Sequence, residues 1–344
     1  MASRAVIIGP ARYAEDSGIP SHDEIGRSAH WYGEVLKGDR RWGEGQVEVV
    51  PEDRLGSIND VMDAVQKAAD EADDTLLVIY VGHGAYWEDV PGAQVHFAVG
   101  SSRNRAPYTW LSSWYVYRAM RRSAASSKVL IADCCYSNLL PQLGDPRDGA
   151  LRGALAEVHK GTCVLTAVKN VPQASATGCK SEKLPVQFRE CTPFSGHLLN
   201  VLQRGTRDSD DDLTLGMIRD AVSRDMESCD TDHDSPRMIL NDARERMPLF
   251  SNRMDLARRQ RSDVRLSTVE EWVAAIMAEG SYELDQLLAD PGKTGEVVAR
   301  LSRDHDEAGR LVALRVNERA NKFFGEPDLF ARYWAKAARA LLPA

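Results

Sequence analysis

Two runs constrain this chain more than anything else in it: Thr75-Leu-Leu-Val-Ile-Tyr-Val-Gly-His-Gly84 and Lys128-Val-Leu-Ile-Ala-Asp-Cys-Cys-Tyr-Ser137. Each holds consecutive apolar or β-prone residues without alternation, the pattern of a strand covered on both faces in a parallel sheet. Each then stops at polar, reactive residues. The functional crevice of an open α/β sheet lies beyond the carboxyl ends of its strands, so the pattern predicts His83 and Cys135 at one rim. A thiolate can attack an acyl carbon while an imidazole manages the protons, which needs neither metal nor cofactor, and none is expected. The plainer alternatives are a buried structural cysteine and a hydrogen-bonded core histidine.

The surrounding sequence agrees with a parallel sheet. Arg4-Ala-Val-Ile-Ile-Gly9 reads as a first buried strand, His22 to Lys37 as a helix, and Gln46 to Val50 as a second strand. Ser57 is placed to cap a helix whose apolar residues Ile58, Val61, Met62 and Val65 share one face. This strand-helix alternation predicts parallel strands joined by right-handed crossovers. Val95 to Val99 is a short excursion, followed by a predicted helix from Thr109 to about Arg122. Its Trp110, Trp114, Tyr117 and Arg118 are read as packing against the sheet rather than as a ligand platform. Asn138 to Asp148 is a loop beside the proposed site, Gly161 to Ala167 another buried strand with Cys163 in the core, and Lys169 to Thr192 has no clear periodicity. Helices are predicted from Pro193 and from Leu213 to Val222, and a closing strand and tail from Ser235 to Phe250.

The residues Asp133-Cys-Cys-Tyr-Ser137 and Gly82-His-Gly84 closely resemble the motifs of bacterial caspase-like and metacaspase-type cysteine peptidases, which carry Asp-x-Cys-x-Ser and His-Gly at strand ends. His83 lies 52 residues before Cys135, close to the separation in caspases. The resemblance covers about residues 1–255 and implies a caspase-like α/β/α sandwich with a mostly parallel central sheet. It makes Cys135 the nucleophile and puts Cys134 at the variable position. It also implies an oxyanion hole from the backbone N–H groups of Gly84 and Cys135, glycine permitting close approach of substrate. Asp133 would sit in the pocket for the residue before the scissile bond and select Arg or Lys; the alternative is an aspartate that caps the following turn. Val81 stands where many metacaspases have serine.

Residues 256–344 read differently. Ser267-Thr-Val-Glu270 is a capping box, followed by Trp272, Val273, Ile276 and Met277 on one helical face, with further helical patterns to Leu342. An all-α C-terminal domain, regulatory or partner-binding, is expected there, with Phe323, Phe324, Phe330, Tyr333 and Trp334 as its core.

Composition limits the partners. The 344 residues carry 43 Lys and Arg against 51 Asp and Glu, a net charge of −8, which argues against nucleic-acid binding as a main task. No apolar run reaches membrane-spanning length and the start is too short in apolar residues for a secretion signal, so a cytoplasmic protein with no membrane partner is expected. The six cysteines lack a CxxC pair and fit reduced thiols. The acidic tracts 208–212 and 230–234 lack the glycine and terminal glutamate of a calcium loop and read as solvated charge, with His233 at the surface. His22, His30, His96, His159, His197 and His305 show no ligand spacing, so no metal is expected.

The expected function is a cysteine endopeptidase acting on protein substrates after Arg or Lys. The resemblance further implies an upstream activating protein or protease and a role in bacterial antiviral defence or cell death. The competing classes are an interaction scaffold that keeps the fold and a thiol acyl-transfer enzyme with the same dyad.

Overall fold

In a computed structural model of the chain, the described residues are 2–87, 93–140, 161–168, 176–179, 181–206, 212–231, 233–241 and 247–253. The chain divides into two units, Met1–Met254 and Asp255–Ala344, and the described residues all belong to the first. The expected C-terminal helices, His159, His305 and most of the loop after Leu140 lie outside them.

The frame is a six-stranded sheet. β1 (Arg4–Ile8), β2 (Val47–Val49), β3 (Thr75–Val81), β7 (Ser127–Asp133) and β8 (Thr162–Thr166) run parallel, and β10 (Arg237–Asn241) closes one edge antiparallel to β8, in the order β10-β8-β7-β3-β1-β2. This is the mostly parallel α/β architecture expected from the alternation of strands and helices. β3 is buried along its whole length between β1 and β7. Its residues alternate between two apolar layers, Leu77, Ile79 and Val81 on one face and Leu76, Val78 and Tyr80 on the other. A strand with helices on both sides has no polar face to show, which is why its sequence does not alternate.

On the first face lie α1 (Asp23–Lys37), α5 (Pro193–Arg204) and α6 (Leu215–Glu227); on the second lie α2 (Ile58–Glu71) and α3 (Ser113–Arg122). Ser57 does cap α2, its Oγ accepting from the Asp60 N–H at 3.3 Å. Pro193 starts α5, where a missing N–H costs nothing, after the one-turn α4 (Val186–Arg189).

Two element boundaries differ from the sequence expectation. The helix predicted from Thr109 begins at Ser113, because Leu111–Ser112 forms β6 against β5 (Gln94–Phe97). The Trp114 N–H is then accepted by Ser112 Oγ and by Gln94 Oε1, so a tertiary partner helps to fix the helix start. Likewise Leu213–Thr214 belongs to β9 (Asp212–Thr214), paired with β11 (Pro248–Ser251), and α6 starts one residue later with Thr214 Oγ1 as its cap. Trp110 and Tyr117 are buried in apolar clusters, and Arg118 lies over the Trp114 ring at 4.9 Å.

Candidate active site

The sheet register brings the two reactive residues to corresponding positions. β3 and β7 pair from Thr75 with Ser127 to Val81 with Asp133, and the Gly82 N–H continues the ladder to the Asp133 carbonyl at 3.0 Å. His83 and Cys135 each follow two residues beyond that last pair. Immediately after Cys135 the chain turns at Tyr136, which adopts a left-handed conformation (φ 59°). For a residue with a side chain this costs on the order of 1 kcal/mol, a local strain of the kind found at functional sites.

The two strand ends are in contact. A side chain added at Gly84 would place its Cβ 2.2 Å from the Cys135 carbonyl oxygen and 3.1 Å from Cys134 Sγ, so only glycine fits there. From Gly84 the chain enters β4 (Gly84–Trp87), which pairs with β5. The His83 carbonyl is held by the Ala98 N–H at 3.0 Å and by the hydroxyl of buried Tyr80 at 2.8 Å. The backbone before and after the histidine is therefore fixed by the sheet and by β4.

The histidine ring is oriented as well. Nε2 lies 2.8 Å from the Pro20 carbonyl, which can only accept, so Nε2 carries the proton and Nδ1 keeps its lone pair. Pro20 stands in a loop tied down by His22 N–H to the Ala11 carbonyl and by the Tyr13 N–H to Ser21 Oγ. The rings of His22 and Tyr13 pack 5.4 and 5.5 Å from that of His83. Burial pushes the His83 pKa below its ordinary value, the Pro20 carbonyl opposes this, and the charge of His22 adds to the lowering. A neutral imidazole with a bare Nδ1 can take a proton from a thiol.

The two adjacent cysteines have different surroundings. Cys134 is only 1% exposed, packs in the apolar layer of α2 and α3, and burial raises its thiol pKa well above the usual range. Cys135 is half-buried at the rim. Only the second thiol is open to a substrate.

Among the described residues the partners of Asp133 lie far along the chain and not in the turn that follows it. Its Oδ2 accepts from the Thr192 hydroxyl at 2.5 Å and the Ser195 hydroxyl at 2.6 Å, one just before α5 and one in its first turn, so the carboxylate sits at the N-terminus of another helix. Ser28 and Tyr32 of α1 extend the network to those two hydroxyls. Burial raises the Asp133 pKa and the hydrogen bonds from Ser195 and Thr192 work against it. Among the described residues no ion pair reaches this carboxylate, which is 3% exposed.

A second group of thiols and imidazoles lies elsewhere. Cys179, His197, Cys229 and His233 each direct one donor atom into a space in which all four atoms are within 4.8 Å of one another. The histidine spacing in the sequence did not show this donor group, and His233 is half-buried within it. Asp230, next to Cys229, pairs with Lys183. The group's Cys179 and His197 are 3.8 Å apart, but both are buried from solvent, so this pair offers no nucleophile to a peptide. The one signal in the sequence was Cys229-x-x-x-His233; the other two donors lie 50 and 32 residues before Cys229.

No protein-family model matches the chain, and no curated protein matches it significantly. Among solved structures it is similar to caspase-1 from Spodoptera frugiperda, at 14% identity and a TM-score of 0.44 over 72% of this chain and 92% of that one. It is also similar to a protein from Geobacter sulfurreducens, at 15% identity and a TM-score of 0.45 over 70% and 93% of the two chains. At such identities a functional assignment rests on the residues of this chain. No helix among the described residues is long and apolar enough to cross a membrane.

Proposed function

We propose that the chain is a cysteine endopeptidase of caspase-like type, with Cys135 as nucleophile and His83 as general base and acid. The observation that carries this reading is the register of β3 and β7, which presents both residues two positions past one strand pair, with the imidazole tautomer already set by Pro20. His83 Nδ1 takes the thiol proton, and Cys135 Sγ attacks the peptide carbonyl carbon. The C–N bond then breaks, the amine leaves with the proton from His83, and a water deprotonated by His83 hydrolyses the thioester to a carboxylate and the regenerated thiol. The backbone N–H groups of Gly84 and Cys135, on the two touching strand ends, are the proposed donors to the tetrahedral oxyanion.

Cleavage after Arg or Lys is supported by Asp133. A buried carboxylate held by neutral hydroxyls and lacking a cation among the described residues gains from a guanidinium brought to it. Removing its charge leaves such a guanidinium desolvated and unpaired, a penalty of roughly 2 to 5 kcal/mol. Asp133→Asn therefore lowers kcat/KM for Arg substrates by at least ~30-fold while the chain stays folded.

Incubating the purified chain with peptides containing Arg or Lys tests the whole reading. Cys135→Ala and His83→Ala remove cleavage, and Cys134→Ala retains most of it. Survival of activity in Cys135→Ala sinks the assignment. A folded chain that cleaves nothing favours the scaffold, and transfer of the acyl group to an added amine in place of water favours the acyl-transfer enzyme.

A further inference from the structure

We propose that Cys179, His197, Cys229 and His233 bind one structural Zn²⁺ that clasps three separate segments of the chain. The donor geometry is that of a metal site. Cys179 Sγ lies 3.4 Å from Cys229 Sγ, 3.4 Å from His233 Nε2 and 3.8 Å from His197 Nε2. A tetrahedral zinc with Zn–S of about 2.3 Å and Zn–N of about 2.0 Å has ligand-to-ligand edges of roughly 3.3 to 3.8 Å. The two sulfurs are much further apart than the ~2.05 Å of a disulfide.

The surroundings of His197 point the same way. Its Nδ1 lies 2.8 Å from Asp225 Oδ2, so Nδ1 carries the proton and Nε2 offers its lone pair toward the cysteines. Asp225 is itself held by Asn200 Nδ2 at 3.1 Å and by Arg204 Nη2 at 2.6 Å. A carboxylate that fixes the far nitrogen of an imidazole is the usual support of a zinc-binding histidine. Two thiols and two imidazoles suit zinc and exclude the hard, oxygen-seeking Mg²⁺ and Ca²⁺. Four protein donors also fill the tetrahedron, leaving no open position for catalysis, so the role is structural.

The donors come from the segment before α4, the middle of α5, and the connection from α6 to β10, which supplies both Cys229 and His233. α5 also carries Thr192 and Ser195, the two hydroxyls on Asp133. The metal would thus fix the helix that holds the carboxylate beside the active site.

The test uses the full chain purified without chelators, with metal content read by plasma mass spectrometry and ligand atoms by X-ray absorption. The expected result is about one zinc per chain, surrounded by two sulfurs and two nitrogens. Cys229→Ser and His233→Ala, checked as folded by circular dichroism, lose that zinc. Asp225→Asn keeps the ligand set but releases zinc to a competing chelator at about 10- to 100-fold lower chelator concentration. The proposal is overturned by a chain that neither carries zinc nor takes up one equivalent from zinc chloride, by a Cys179–Cys229 disulfide in the freshly purified protein, by a bound zinc with no sulfur ligand, or by another metal at full occupancy. Peptide cleavage is no part of these readouts, so the zinc site stands or falls separately from the peptidase.

Discussion

His83 must be neutral to accept the thiol proton, and its surroundings favour the neutral form. Burial is the largest influence, with His22 adding to it and the Pro20 carbonyl opposing. Protonation of the free enzyme is deferred to lower pH, so the acid limb of kcat/KM has its midpoint below the ordinary histidine value of about 6.5. Replacing His22 by Gln removes a charge that disfavours the imidazolium and moves that midpoint upward. A pH–rate profile of the two proteins checks this; a downward shift, or an acid limb above the ordinary value in the parent protein, contradicts the account. The sign for stability runs the same way, because below the ordinary pKa the unfolded chain binds the His83 proton before the folded one does, and this residue then costs stability as pH falls.

At the scale of elements, the site depends on the contact between the ends of β3 and β7. Gly84→Ala forces a Cβ against the Cys135 carbonyl, and the clash is with backbone, which cannot rotate away. The two strand ends must separate. A displacement near 1 Å at a catalytic pair costs about 100-fold, so kcat/KM of this variant falls by at least ~100-fold, while circular dichroism still reports the sheet. Peptidase assays near the parental level would refute the close packing. These strand ends were legible in the sequence because a doubly covered strand leaves an unbroken apolar run, and the reactive residues stand where that run stops. The start of α3 was not legible, because Gln94 of β5 shares in setting it. Nor were the partners of Asp133, which are 59 and 62 residues later in the chain and meet it only when α5 packs on the sheet. The thiol and imidazole cluster was hidden for the same reason, since local spacing records only its Cys229 and His233.

Across the described unit, the sheet separates two apolar layers, and β3 contributes to both. Ile79 is fully buried in the layer beneath α1, α5 and α6. Truncating it to Ala removes apolar contacts and leaves a cavity, at a cost of about 2 to 5 kcal/mol. Urea unfolding followed by circular dichroism should show a lower midpoint with an unchanged slope; a loss below ~1 kcal/mol would mean the layer collapses around the gap. The register of β3 and β7 carries one more consequence, for how such a chain can change over generations. The dyad depends on a count, two residues past one strand pair on each arm, and not on the 52 residues that separate the pair along the chain. Codons gained or lost at the turn of Pro107–Thr109, or where α3 leads into β7, leave that count untouched. A single codon lost between Leu76 and His83 turns every following side chain to the opposite layer and takes the imidazole out of phase with the thiol. The pairing of the dyad is indifferent to the length of these connections and depends on the phase of the two strands.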